Sequence, residues 1–111
     1  MRLFGPRKPK VSRSPEWPKY RKQWLSLHPS CAVCGEFKKL EVHHIVPVHW
    51  DPSRELDPTN YITLCEQGSH NDHFLFGHLL DWKSMNAHVT ADAAIMLHEI
   101  RARPYPVMKQ Q

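Results

Sequence analysis

Three cysteines set the strongest constraint on how this chain can fold. Cys31 and Cys34 form a Cys-x-x-Cys pair, and Cys65 follows a short apolar run. An odd number of cysteines argues against a disulfide framework, and we expect no signal peptide. Reduced thiols are ligands for zinc, which takes four ligands in structural sites. The sequence therefore predicts a zinc knuckle built on the three thiolates, with Gly35 at positive φ in its turn.

The fourth zinc ligand is predicted from the residues that follow Cys65. His70 lies five residues further on, and imidazole is preferred to carboxylate beside thiolates. We therefore expect His70 to complete the site. Asp72 is the alternative ligand, and a degraded site without zinc is the remaining alternative.

The chain of 111 residues has room for one domain, and its patterns predict an α+β fold. Ser14-Pro15 predicts the start of a helix that ends at His28-Pro29. Apolar residues recur in it at helical spacing and are expected to face inward. They are Trp17, Tyr20, Trp24 and Leu27.

Two short strands and two further helices are predicted after the knuckle. The strands cover residues 40–45, where apolar residues alternate, and 61–64. Apolar and histidine residues predict a helix over about 71–82, kinked at Gly77. A last helix is expected to begin with Thr90 as its N-cap.

Positive charge is concentrated near the N-terminus. Of the 15 Lys and Arg, eight lie within the first 22 residues, namely Arg2, Arg7, Lys8, Lys10, Arg13, Lys19, Arg21 and Lys22. Such a segment favours a polyphosphate partner, with a solvated tail as the alternative. No run approaches the ~18 apolar residues of a membrane span. We expect a soluble, cytoplasmic protein without a membrane partner.

The residues that could bind metal or move protons follow one another in a recognisable order. The order is Cys31-x-x-Cys34, His43-His44, Asn60, Cys65, His70 and His73. It resembles the HNH endonucleases, most sharply over 41–47, 57–65 and 73–78, and the last stretch resembles a zinc-containing bacterial and phage subgroup. The resemblance covers about residues 14–100 and implies a ββα-metal (His-Me finger) motif with flanking helices. One departure is Asp72, because the commonest pattern has a cysteine there.

The resemblance also implies roles for individual residues. Neighbouring residues of a strand face opposite sides, so one imidazole of the pair can bind a metal while the other faces a water. By analogy with the family, His43 is the metal ligand and His44 the general base. His73 would complete the cation site, and Asn60 would either accept a hydrogen bond from His44 or constrain the loop. His78 is either a third ligand or a helix-end residue.

The function that follows is metal-dependent hydrolysis of DNA phosphodiester bonds. The cation would be Mg²⁺, Mn²⁺ or a later transition metal, separate from the structural Zn²⁺. Double-stranded DNA is the expected partner, with Arg13, Lys19, Arg21 and Lys22 on its phosphates. The alternatives are a catalytically inactive zinc-stabilised nucleic-acid-binding module and a zinc domain without a nucleic-acid role.

The expected organisation is a flexible basic arm over 1–13, a nuclease domain over 14–104 and a C-terminal tail over 105–111. Phage or bacterial proteins use this motif in several settings, and the sequence does not select a protein partner.

Overall fold

The computed structural model describes residues 11–103 and confirms the α+β class. Helix α1 (Trp17–Leu27) is followed by strand β1 (Leu40–His44), strand β2 (Tyr61–Cys65) and helix α2 (Val89–Ala102). Two single turns of 3₁₀-helix, Pro52–Arg54 and Pro58–Asn60, lie between the strands. A π-helical turn, His73–Gly77, lies between β2 and α2. Most of the predicted basic arm and the whole predicted tail lie outside the described residues.

The two strands form an antiparallel hairpin that places the histidine pair at one end and a cysteine at the other. Leu40 pairs with Cys65, His43 with Ile62, and His44 with Tyr61. All five residues of β2 are buried, which agrees with its continuous apolar character. The hairpin therefore carries two of the predicted metal ligands, His43 on β1 and Cys65 on β2.

Helix α1 packs on the hairpin through two tryptophans. The Trp17 ring lies 4.6 Å from the His44 ring and 5.5 Å from that of Tyr61, centroid to centroid. Trp24 Nε1 donates a 2.9 Å hydrogen bond to Thr63 Oγ1. The inward position predicted for Leu27 is wrong, because this side chain is 76% exposed.

The start of α1 also differs from the prediction. The helix begins at Trp17, with Glu16 rather than Ser14 in the N-cap position. Ser14 makes two kinds of hydrogen bond. Its Oγ accepts one from Glu16 N at 3.1 Å, and its backbone N donates to the Glu55 carboxylate. These bonds make residues 14–16 a turn that leads into the helix.

Helix α2 covers the main apolar core. Val89 and Ala93 on this helix are buried against the cysteines and β2. Thr90 was expected as N-cap, but the helix begins at Val89. The Asn86 side chain positions the segment that leads into α2, because its Oδ1 accepts a hydrogen bond from His88 N and its Nδ2 donates one to Phe76 O.

The predicted kinked helix over 71–82 is replaced by the short π-helical turn. Gly77 explains the difference: a Cβ built there would lie 2.9 Å from both Cε1 and Nδ1 of His43. The turn therefore approaches β1 more closely than any other residue type would allow. Leu79 and Leu80 then take positive φ and end the segment. Such π-turns are frequent at functional sites.

Among residues 11–103, no helix combines the length and apolar character that a membrane span requires.

Candidate metal centres and active site

The cysteine knuckle brings three thiols and one carboxylate together. Gly35 has the expected positive φ of 78°, and its N donates to Cys31 O at 2.8 Å, which closes the turn. Cys65, at the end of β2, places its Sγ 4.0 Å from Cys34 Sγ. Asp72 Oδ2 lies 3.3 Å from Cys31 Sγ and 3.2 Å from Cys65 Sγ.

These separations fit a tetrahedral zinc ion. Zinc bonds of about 2.3 Å to sulfur and about 2.0 Å to oxygen imply ligand edges of roughly 3.5–3.8 Å. The ligand atoms of Cys31, Cys34, Cys65 and Asp72 all lie within 4.8 Å of one another. Asp72 is buried with these thiols as partners, an unfavourable setting for a carboxylate unless a cation joins it. The four residues therefore form a group that fits zinc.

Burial raises the pKa of the Cys31 and Cys34 thiols, and the neighbouring thiols add to this effect at Cys34. Without a cation these thiols stay protonated near neutral pH. Zinc binding would displace the protons, so zinc affinity is coupled to pH.

His70, expected as the fourth zinc ligand, does not lie with this group. Its ligand atom clusters with those of Cys34 and Glu36 at the outer edge of the knuckle. Its ring nitrogens lie 3.3 Å from Gln67 Nε2 and 3.0 Å from Ser69 Oγ. The geometry favours Asp72, the alternative ligand, because its oxygen reaches two of the three thiols.

A second cluster consists of three imidazoles. His43 on β1, His73 in the π-helical turn and His78 just after it place one ring nitrogen each within 4.8 Å of the others. Their ring centroids are separated by 4.7–4.9 Å. The structure thus brings His43 and His73 together, as predicted, and adds His78 to the set.

The state of His43 shows that this cluster could hold a cation. The residue is 1% exposed, yet neither ring nitrogen has a hydrogen-bond partner. Burial, reinforced by the neighbouring His73 and His78, lowers its pKa to about 2. The ring is therefore neutral at physiological pH, with a lone pair directed into a buried space. A divalent cation is the partner that matches this lone pair.

The other two imidazoles are oriented by hydrogen bonds that sequence analysis did not predict. Glu66 Oε2 lies 2.6 Å from His73 Nδ1, and Ser84 O accepts from His78 Nδ1 at 3.0 Å. Carboxylates and carbonyls in this position fix the ring and select the other nitrogen, Nε2, as ligand. Glu66 has one sequence signal: it is the acid directly after Cys65, seven residues before His73.

His44 has a different environment from its neighbour His43. Its Nε2 lies 2.9 Å from Glu55 O, and because a carbonyl can only accept, Nε2 carries the proton. Burial lowers the pKa of His44 to about 4, so its Nδ1 is an unprotonated acceptor at neutral pH. Glu55 is buried, and its carbonyl oxygen accepts hydrogen bonds from both His44 Nε2 and the Tyr61 hydroxyl.

One cavity of about 150 Å³ joins the imidazoles. It is lined by His43, His44, His73 and His78 together with Arg13, Trp17, Arg21, His49 and Trp82, among others. The candidate base and the candidate cation ligands therefore line one cavity.

Asn60 supports this space without lining it. Its Oδ1 accepts from Val46 N at 2.8 Å, and its Nδ2 donates to Val46 O and Arg54 O. Of the two roles considered for Asn60, these contacts match constraint of the loop. They contain no hydrogen bond to His44.

The four predicted phosphate-binding cations fall into two groups. Arg13 and Arg21 line the cavity, where they pair with Glu55 at 3.8 Å and Glu41 at 3.4 Å. Lys19 and Lys22 are exposed on α1.

Residues 31–67 match the family model described as HNH endonuclease. This segment contains the knuckle and the whole hairpin, so the family recognition made from the motifs is confirmed there. The cysteine cluster is compatible with the zinc-containing subgroup. Comparisons with curated proteins and with solved structures gave no match. The family match indicates a nuclease or nucleic-acid-binding function.

The zinc ligand set can be tested by comparing two substitutions. We expect Asp72→Ala to lower zinc affinity at least ~10-fold, because the ion loses a ligand. His70→Ala should change it by less than about 3-fold, since His70 lies outside the thiolate group. Competition with a chromophoric chelator measures both values. A larger loss in His70→Ala than in Asp72→Ala would assign the fourth position to His70.

The close approach at Gly77 yields a second prediction. Gly77→Ala should displace the His43 ring, weaken divalent-cation binding at the imidazoles at least ~10-fold and cost about 1–3 kcal/mol of stability. Gly68→Ala is the matched control, because nothing lies within 4 Å of a Cβ built there. Calorimetric titration and urea unfolding of the zinc-loaded protein measure the two effects. Equal cation affinity in both variants would contradict the assigned cluster.

Proposed function

We propose that this protein is a metal-dependent endonuclease that hydrolyses DNA phosphodiester bonds. The observation that carries the proposal is the arrangement around the cavity: three convergent imidazoles with an unpartnered His43, beside the oriented base His44. The match of residues 31–67 to the HNH endonuclease family supports the same activity.

The donor set determines which cations fit. Three neutral imidazoles suit Zn²⁺, Ni²⁺, Co²⁺ or Mn²⁺ better than Mg²⁺, which prefers oxygen ligands and retains its waters. A cation on His43, His73 and His78 would stabilise negative charge on the scissile phosphate and on the leaving 3′ oxygen. Zinc on the cysteine group would have a structural role.

His44 would act as the general base. Its Nδ1 accepts a proton from the attacking water, while its Nε2–H continues to donate to Glu55 O. The carbonyl fixes the ring tautomer and stabilises the imidazolium that forms. Burial lowers the pKa of His44 to about 4, so the ring is neutral at pH 7 and its Nδ1 is available to accept a proton.

Double-stranded DNA is the proposed substrate, and residues 14–104 are the proposed nuclease domain. Lys19 and Lys22 on the exposed face of α1 would contact flanking phosphates, and Arg13 and Arg21 would act at the cavity mouth. Reduced thiols and a DNA substrate are consistent with a cytoplasmic location.

A catalytically inactive binding module is the alternative. Such a module would have no use for a fully buried imidazole without hydrogen-bond partners, and His43 is one. We therefore favour the enzyme.

Nicking of supercoiled plasmid in the presence of Mn²⁺, Ni²⁺ or Zn²⁺ tests the proposal. We expect wild-type cleavage that EDTA abolishes, and a loss of at least ~10²-fold in His44→Ala, because the general base is removed. His98→Ala, an exposed histidine on α2, is the matched control and should retain wild-type activity. Zinc content should be equal in all three proteins.

Two results would contradict the proposal. Activity in His44→Ala above about one tenth of wild type would remove His44 from the mechanism. Salt-dependent DNA binding without cleavage under any of the three cations would support the inactive module instead.

A further inference from the structure

His49 has no role in the mechanism proposed above, yet its Nε2 is buried without a hydrogen-bond partner. Across residues 11–103, the buried side-chain nitrogen and oxygen atoms without a partner are both ring nitrogens of His43 and Nε2 of His49. Both histidines line the same cavity. A cation accounts for His43. An unpartnered buried nitrogen is unfavourable, so His49 Nε2 also requires a partner, which bound substrate can provide.

The loop that carries His49 is braced by hydrogen bonds. Trp50 N and Asp51 N both donate to Pro47 O, at 2.9 and 3.0 Å, and form a tight turn around His49. Pro47 and Val48 are buried at its base. The Asn60 amide clamps Val46 at the start of the turn. His49 is therefore placed before substrate arrives, as a group that acts on a transition state must be.

Two arginines and His44 at the cavity already have partners within the protein. Arg13 is paired with Glu55 and Arg21 with Glu41. His44 Nε2 donates to Glu55 O, and its Nδ1 is reserved for the attacking water. A phosphate that enters the cavity therefore meets a lining residue, His49, whose Nε2 has no hydrogen-bond partner within the protein.

We propose that His49 is a catalytic residue that donates a hydrogen bond from Nε2 to a non-bridging oxygen of the scissile phosphate. The assignment rests on the proposed nuclease function and extends it. No covalent bond to His49 forms or breaks. Negative charge on the non-bridging oxygens grows as the water attacks, so the hydrogen bond is stronger in the transition state than in the bound substrate.

Kinetics of two substitutions test this role. His49→Ala should lower kcat by about 10- to 100-fold, with KM and the affinity for the catalytic cation within about 3-fold of wild type. His49→Gln should recover much of the loss, because its amide Nε2 can donate from a similar position. His98→Ala serves again as the control. Plasmid nicking and calorimetric cation titration of the zinc-loaded protein supply the readouts.

A phosphorothioate experiment separates contact with the phosphate from a structural role. An oligonucleotide with one mapped cleavage site is prepared with sulfur in place of each non-bridging oxygen in turn. We expect wild type to discriminate against the diastereomer whose sulfur faces His49, since sulfur is a weaker acceptor. The discrimination between the diastereomers should shrink in His49→Ala and persist in His98→Ala. The effects of the sulfur substitution and of His49→Ala are then not additive, as expected for two groups in direct contact.

The outcomes are distinguishable. Full activity in His49→Ala, or a loss that His49→Gln does not reduce and that leaves the diastereomer preference unchanged, overturns the role of His49 alone. Absence of cleavage by wild type overturns the proposed function and this inference together.

Discussion

The segment from Asp72 to His78 is the constraint on which the site depends, because it contributes to both candidate metal centres. Asp72 joins the three thiols, and the next residue, His73, faces the imidazole cluster. His78 closes the same cluster after a π-helical turn that only Gly77 permits against His43. An ion on the cysteine group would therefore hold Asp72 in place. The position of Asp72 in turn sets the positions of His73 and His78, two of the three imidazoles that would bind the second ion.

Adjacent residues of β1 obtain different chemistry from burial and hydrogen bonding alone. Both His43 and His44 are kept neutral by desolvation, as their lowered pKa values show. Neither ring nitrogen of His43 has a hydrogen-bond partner, so its lone pair is available to a cation. His44 is held through Nε2 by Glu55 O, so its Nδ1 is left to accept a proton. In the proposed mechanism, this hydrogen bond to Glu55 O is what distinguishes the base His44 from the metal ligand His43.

The sequence was sufficient for the parts of the structure that local patterns determine. The hairpin and the cysteine knuckle follow from periodicity, turn chemistry and motif order, and the pairing of His43 with His73 follows from the resemblance to the HNH endonucleases. Contacts that depend on tertiary geometry were not accessible. Ligand preference favoured His70, but the turn after β2 brings Asp72 to the thiols. Glu66 acquires its role only because the π-helical turn folds back over the end of β2.

The central claim is that two ions occupy this domain, one on the cysteine group and one on His43, His73 and His78. Anomalous diffraction from crystals of the zinc-loaded protein, soaked in Mn²⁺ and measured at both absorption edges, tests it most directly. We predict a zinc peak among the thiolates and a second peak about 2.0–2.3 Å from one nitrogen of each of the three imidazoles. A single peak at the cysteines, or a second ion bound without His43, would contradict the account.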